Sequence, residues 1–226
     1  MAARATYLAL GRPDIAYATK ELCRCFANPN SDALHALKHL VRYLIGVPRL
    51  VWHFNYQKPV DTIVSMVDTD FAGCLSTRRS TSGGAALRGA HLLRHWSVTQ
   101  GTVTLSSGEA ELHGICKGAS TSMGLLSIAK DLGLSWNLTL RTDSTAAIGI
   151  TRRRGLGKIR HLATADLWVQ DRVRAGDFRL EKVPGADNVA DILTKYVDRA
   201  TLQKHLHAMG LRREEGRPEL APHIDP

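Results

Sequence analysis

The chain has 226 residues, 44% of them hydrophobic and 23% charged, which suits one sizeable domain or a domain with an appendage. It holds no apolar run of roughly 18 residues, so it offers no candidate membrane span, and its opening residues lack the apolar core and cleavage site of a secretion signal. Thirty lysines and arginines against 21 acids give a formal net charge of +9, a surplus that favours a polyanionic partner, with nucleic acid first.

In chain order, residues 1–50 read as helical. "RPDIAYATKELCRCF" sets Ile15, Thr19, Leu22 and Phe26 at helical spacing. "NPN" breaks that helix, and Ser31 or Asp32 can cap a second one that runs to about Ile45, with Leu34, Leu37, Val41 and Leu44 as its stripe. His35 and His39 stand four apart on it, but the glutamate of the H-E-x-x-H zinc motif is missing, so they read as a surface pair. From about residue 50 the pattern turns β-like: "LVWHFNY", "DTIVSMV", "STSGGAALRG", "HLLRHWSV" and "TVTLSS". A helix then fits residues 107–131, with Leu112, Ile115, Ala119, Met123 and Leu126 on one face. "NLTLRTD" reads as a strand, "STAAIGI" as a short helix, "KIRHLATADLWVQDRVRAG" as a helix and "DFRLEKVP" as a strand. One helix is expected across "DNVADILTKYVDRATLQKHLHAMG", and the remainder from 212 as a disordered tail. Strands first and β–α alternation after them predict an α/β protein with a mixed sheet. Cys23, Cys25, Cys74 and Cys116 lack zinc-site spacing and read as free thiols.

The acids fall at element ends. Asp68 and Asp70 close one strand, Asp143 closes another, Glu109 and Glu111 open the long helix, and Asp187 and Asp191 open the last one. Carboxylates that meet beyond parallel strand ends repel one another unless a cation sits among them. All-oxygen ligation suits Mg²⁺, and two such ions about 3.5–4 Å apart can clamp a phosphodiester. Each acid also has a structural reading. Ser106-x-x-Glu109 is a capping box, which sets Glu109 aside and leaves Glu111; Asp187 is a natural N-cap, which leaves Asp191; Asp143 could itself cap the helix begun at Ser144.

"VDTDFAGC", "RRSTSGG", "SSGEAEL", "RTDSTAAI", "KIRHLATADLWVQD" and "VPGADNVADILTK" stand in the order found in the ribonuclease H domain of copia-type LTR retrotransposon polyproteins, which the chain resembles over roughly residues 7–211. "YLALGRPDIAYATKELCRCFANPNSDALHALKHLVRYLIG" resembles the end of the reverse transcriptase of the same polyproteins. The resemblance implies a helical segment at 1–50 and, at 51–211, an RNase H-like five-stranded mixed sheet with helices on both faces. It implies four metal-holding catalytic acids: Asp68, Glu111, Asp143 and Asp191. Asp70 is then left to shape the turn or stand outside the ligands.

The activity so implied is hydrolysis of the RNA strand of an RNA–DNA hybrid with two Mg²⁺ ions, for which Mn²⁺ can substitute. The competing reading is an inert module of the same fold that binds hybrid or duplex. Candidate nucleic-acid contacts are Arg78, Arg79, Ser80, Thr81, Ser82, Arg152, Arg153, Arg154, Lys158 and Arg160. Trp96 reads as core. The loop before the fourth acid, "VPGADNVAD", lacks the histidine of many cellular relatives, which implies slow turnover. Expected partners are the reverse transcriptase and integrase of the same polyprotein, and the expected location is cytoplasmic, in virus-like particles, or nuclear.

Overall fold

A computed structural model describes residues 2–157 and 164–216. Three helices come first: α1 (Ala2–Leu8), α2 (Pro13–Arg24) and α3 (Ser31–Gly46). Pro13 sits in the first turn of α2, where its missing N–H costs nothing, and the Asn30 side chain caps α3 by accepting from the Ala33 N–H. Ile15, Thr19 and Leu22 of α2 are buried, whereas Phe26 lies past its end and is 47% exposed. The stripe expected on α3 is rotated. Leu40, Leu37 and Leu44 pack toward α2, while Leu34 and Val41 face solvent.

Next come β1 (Arg49–Trp52), β2 (Thr62–Asp70), β3 (Thr81–Arg88), β4 (His91–Thr99), α4 (Ser107–Asp131), β5 (Asn137–Thr142), α5 (Thr145–Arg152), α6 (Trp168–Ala175), β6 (Arg179–Lys182), α7 (Arg199–Ala208) and β7 (Leu211–Glu214). The main sheet has five strands in the order β4-β3-β2-β5-β6. β2, β3 and β4 form an antiparallel meander; β5 lies parallel to β2, and β6 parallel to β5. This is the mixed sheet expected.

Both faces of the sheet are covered. One apolar layer joins Ile63, Val67, Ala86 and Trp96 to Leu112, Ile115 and Ala119 of α4 and to Ala147 and Ile148 of α5. The other joins Ala85 and Leu87 to Ile192, Leu193, Leu206 and Met209, and it takes in Ala16 of α2. The α4 stripe thus lies where its spacing placed it.

Two expectations fail near the C-terminal end. The single helix over 187–210 is divided: Gly185–Asp187 and Val189–Leu193 are 3-10 turns, and α7 starts only at Arg199. Side-chain caps cause the division. Asn188 accepts from the Ala190 N–H and donates to the Val67 carbonyl at 2.9 Å, and Asp198 accepts from the Thr201 N–H at 2.8 Å. The tail does not begin at 212 either, because Leu211–Glu214 pair antiparallel with Arg49–Trp52. β1 therefore lies outside the main sheet. Among the described residues no helix is long and apolar enough to cross a membrane.

Candidate active site

The central strands set the site. Asp68 stands near the end of β2, and Asp143 follows β5, the parallel neighbour of β2. α4 crosses the sheet above them and carries Glu111 in its second turn. One carboxylate oxygen from each of Asp68, Glu111 and Asp143 lies within 4.8 Å of the other two. Asp68 is 5% and Glu111 9% exposed, so this negative charge is largely removed from water.

The electrostatics follow from that crowding. Burial, then the charges of Asp68 and Asp143, push the Glu111 carboxyl up to about 9. Burial and Asp68 likewise raise Asp143 and Asp191 above the ordinary carboxylate range. Among the described residues Glu111 Oε2 is a buried oxygen with no hydrogen-bond partner. Clustered oxygens, one of them unpaired, are the donor set that a hard divalent cation takes, so the residues present fit such an ion.

The fourth expected acid, Asp191, is not among the three whose oxygens meet; Lys195, which sequence reasoning missed, links it to Asp68. Asp191 lies in the Val189–Leu193 turn, and Lys195 Nζ stands 3.1 Å from its Oδ1 and 3.9 Å from Asp68 Oδ2. Burial lowers the Lys195 pKa, but Asp68 and Asp191 outweigh it and hold the ammonium above its usual value. Thr194 Oγ1 donates to Asp68 Oδ2. The signal was present in "VADILTK", where Asp191 and Lys195 are four apart; only the fold shows that the turn also delivers Lys195 to Asp68.

The acids set aside by capping arguments do other work. Ser106 caps α4 by accepting from the Glu109 N–H, and Glu109 Oε2 accepts from the Leu105 N–H at 2.9 Å. Asp187 pairs with Lys204 at 2.9 Å, and Asn188 rather than Asp187 caps the turn that follows. Asp143 leaves the capping of α5 to Ser144. Asp70 folds over Gly73, where a Cβ would lie 1.7 Å from Oδ2.

The predicted nucleic-acid contacts divide. Arg78, Arg79 and Arg154 are exposed. Ser80, Thr81 and Ser82 are buried, and their hydroxyls meet protein: Ser80 accepts from the Ala72 N–H, Thr81 from Lys20, and Ser82 from Gln100. Arg152 donates to the Leu180 carbonyl and Arg153 to that of Leu156. Lys158 and Arg160 lie outside the described residues. Trp96 is in the core, and all four cysteines are free thiols.

A mixed sheet in the order β4-β3-β2-β5-β6, with acids at the ends of its two central parallel strands, is the ribonuclease H fold. No family model matches the chain. The chain is nonetheless a homologue of copia-type retrotransposon Pol polyproteins over most of its length. It is 29% identical over 212 residues to the Retrovirus-related Pol polyprotein from transposon RE1 of Arabidopsis thaliana, a match covering 92% of the chain and 14% of that protein. It is 30% identical over 210 residues to the corresponding polyprotein from transposon RE2 of the same plant, covering 91% and 14%. The chain thus spans about one seventh of these relatives' length. Among solved structures, LC11-RNase H1 isolated from compost aligns with a TM-score of 0.44 at 15% identity, covering 65% of this chain and 99% of that one. The N-terminal RNase H domain of rv2228c from Mycobacterium tuberculosis aligns at 0.41 and 23%, covering 65% and 97%.

Proposed function

We propose that the chain is an endoribonuclease that hydrolyses the RNA strand of RNA–DNA hybrids, as part of, or derived from, a retrotransposon polyprotein. The observation that carries the reading is the meeting of Asp68, Glu111 and Asp143 within 4.8 Å, with Glu111 Oε2 buried and unpaired. Crowding of buried carboxylates is unfavourable, and divalent cations relieve it.

Asp68, Glu111, Asp143 and Asp191 would hold two Mg²⁺ ions. Bound there, such ions would supply the chemistry of activating a water at neutral pH and of stabilising the departing 3′-oxygen. Asp68 would be the ligand placed to serve both ions, since its carboxylate oxygen lies within 4.8 Å of oxygens of Glu111 and Asp143 and Lys195 links it to Asp191. Thr194, by donating to one Asp68 oxygen, restrains that carboxylate. Lys195 partly neutralises Asp68 and Asp191 while the site holds no cation. Arg78, Arg79 and Arg154, exposed on loops, and the likewise exposed Arg152 are the proposed phosphate contacts among the described residues. The reverse transcriptase and integrase of the same polyprotein are the proposed protein partners.

The test is cleavage of an end-labelled RNA–DNA hybrid in Mg²⁺ by the parent and by Asp143→Asn. The parent is expected to cut, and the variant to lose about a hundredfold or more in rate while keeping its fold. Equal cutting by both overturns the assignment of the site. Hybrid binding without cutting by the parent would replace this reading with that of an inert binding module.

A further inference from the structure

The segment before residue 50 is not set apart from the site. Ala16, Lys20 and Arg24 are spaced four apart and so share one face of α2, with Tyr17 beside them. That face meets the nuclease unit at three places. Ala16 is buried in the cluster that holds Val189, Ile192 and Leu193, the turn that bears Asp191. Lys20 Nζ donates to Thr81 Oγ1 at 2.7 Å, and Thr81 is the cross-strand partner of Asp70. Arg24 donates to Cys74 Sγ and, at 3.2 Å, to Thr77 Oγ1, both in the loop between β2 and β3. Tyr17 meets Tyr196 edge-on, with ring centroids 4.9 Å apart, next to Lys195.

These contacts are costly to arrange for packing alone. The Lys20 side chain is 11% exposed, and burial lowers its pKa although Glu21 pairs with it. Burial disfavours the Cys74 thiolate, yet hydrogen bonds from Ser76, Thr77 and Arg24 outweigh it and bring the thiol down to about 6, which makes the sulfur an anionic partner for Arg24. The loop they hold has positive φ at two non-glycine residues, Ala72 (53°) and Arg78 (55°), a conformation that persists only when its surroundings enforce it.

We propose that Lys20 and Arg24 are positioning residues for the acid centre: α2 ties the loop after Asp68 and Asp70 to the turn that carries Asp191, so the upstream helical segment is a working part of the nuclease. The proposal rests on the nuclease reading above, and its test separates the two. Lys20→Met with Arg24→Gln in the full chain should speed amide exchange across residues 71–81 about tenfold, with protection in β2 and β5 unchanged. Mn²⁺ affinity, read by titration, should fall about tenfold, as when outer-shell partners of metal ligands are removed. In hybrid cleavage, kcat should fall and KM hold. Lys20→Arg should restore most of each loss.

Thr81→Val removes the Lys20 hydrogen bond from the other side. It should reproduce the loop exchange of Lys20→Met and add nothing to it in the double variant, which decides the matter even if the first pair loses sheet protection. Unchanged exchange at 71–81 and unchanged Mn²⁺ affinity in these variants overturn the proposal. A parent that binds Mn²⁺ but cuts no hybrid, with variants that still loosen the loop and weaken the metal, would end the nuclease reading and leave the positioning role standing.

Discussion

Burial and two neighbouring carboxylates hold the Glu111 proton to about pH 9, against 4.5 for a free side chain. Below the lower value both folded and unfolded chains carry the proton. Between the two, the unfolded chain releases it and the folded chain does not, so this group's contribution to stability is lost as pH rises through that window. In cation-free buffer, Glu111→Gln should therefore raise the melting temperature at pH 8 and leave it little changed at pH 4. Mg²⁺ should stabilise the parent more than the variant, because binding to the folded state alone shifts unfolding. The same gain at both pH values would show that Glu111 does not carry this strain. At this scale the sequence was informative where a local rule applied: the capping box separated Glu109 from Glu111. It was silent on Lys195, whose contact with Asp68 joins positions far apart in the chain, and on the burial of Ser80, Thr81 and Ser82, whose hydroxyls were expected to meet phosphates and instead meet protein.

Elements position what residues supply. α4 reaches β2 closely because Gly114 and Gly118 lack side chains: a Cβ at 114 would come within 2.5 Å of Thr69 Oγ1, and one at 118 within 2.5 Å of Val67 Cγ1. Gly118→Ala should lift α4 from the sheet, cost about 1–3 kcal/mol by overpacking, and weaken Mg²⁺ binding by displacing Glu111. Gly124→Ala, where nothing lies within 4 Å, should instead stabilise the helix by about 0.5–1 kcal/mol. Urea unfolding of both variants checks the contrast, and equal effects would refute the close-approach argument. The α4 stripe was legible because one helix face packs on one sheet. The divided helix after residue 187 was not, since neither glycine nor proline interrupts residues 187–209; Asn188 and Asp198 break it through hydrogen bonds that apolar periodicity does not record. On α3 the stripe expected through Leu34 and Val41 gave way to one through Leu40, which contact with α2 buries.

The whole molecule carries a net charge of +9, and a hybrid bound through phosphates should come off as salt rises. Four such contacts would cost about a hundredfold in affinity between about 50 and 200 mM salt. A dissociation constant that is flat across that range would rule out a phosphate-based grip. The boundary near residue 50 divided the chain where helical periodicity gives way to alternation, and to that extent the sequence was readable. It could not show that α2 packs into the second apolar layer, or that Arg49–Trp52 would find Leu211–Glu214. That short pairing has an outcome for anything fused on either side. The chain comes into the sheet-bearing unit and goes out of it at one doorway, Arg49 opposite Glu214. Polypeptide leading into the first and away from the second therefore starts from neighbouring points.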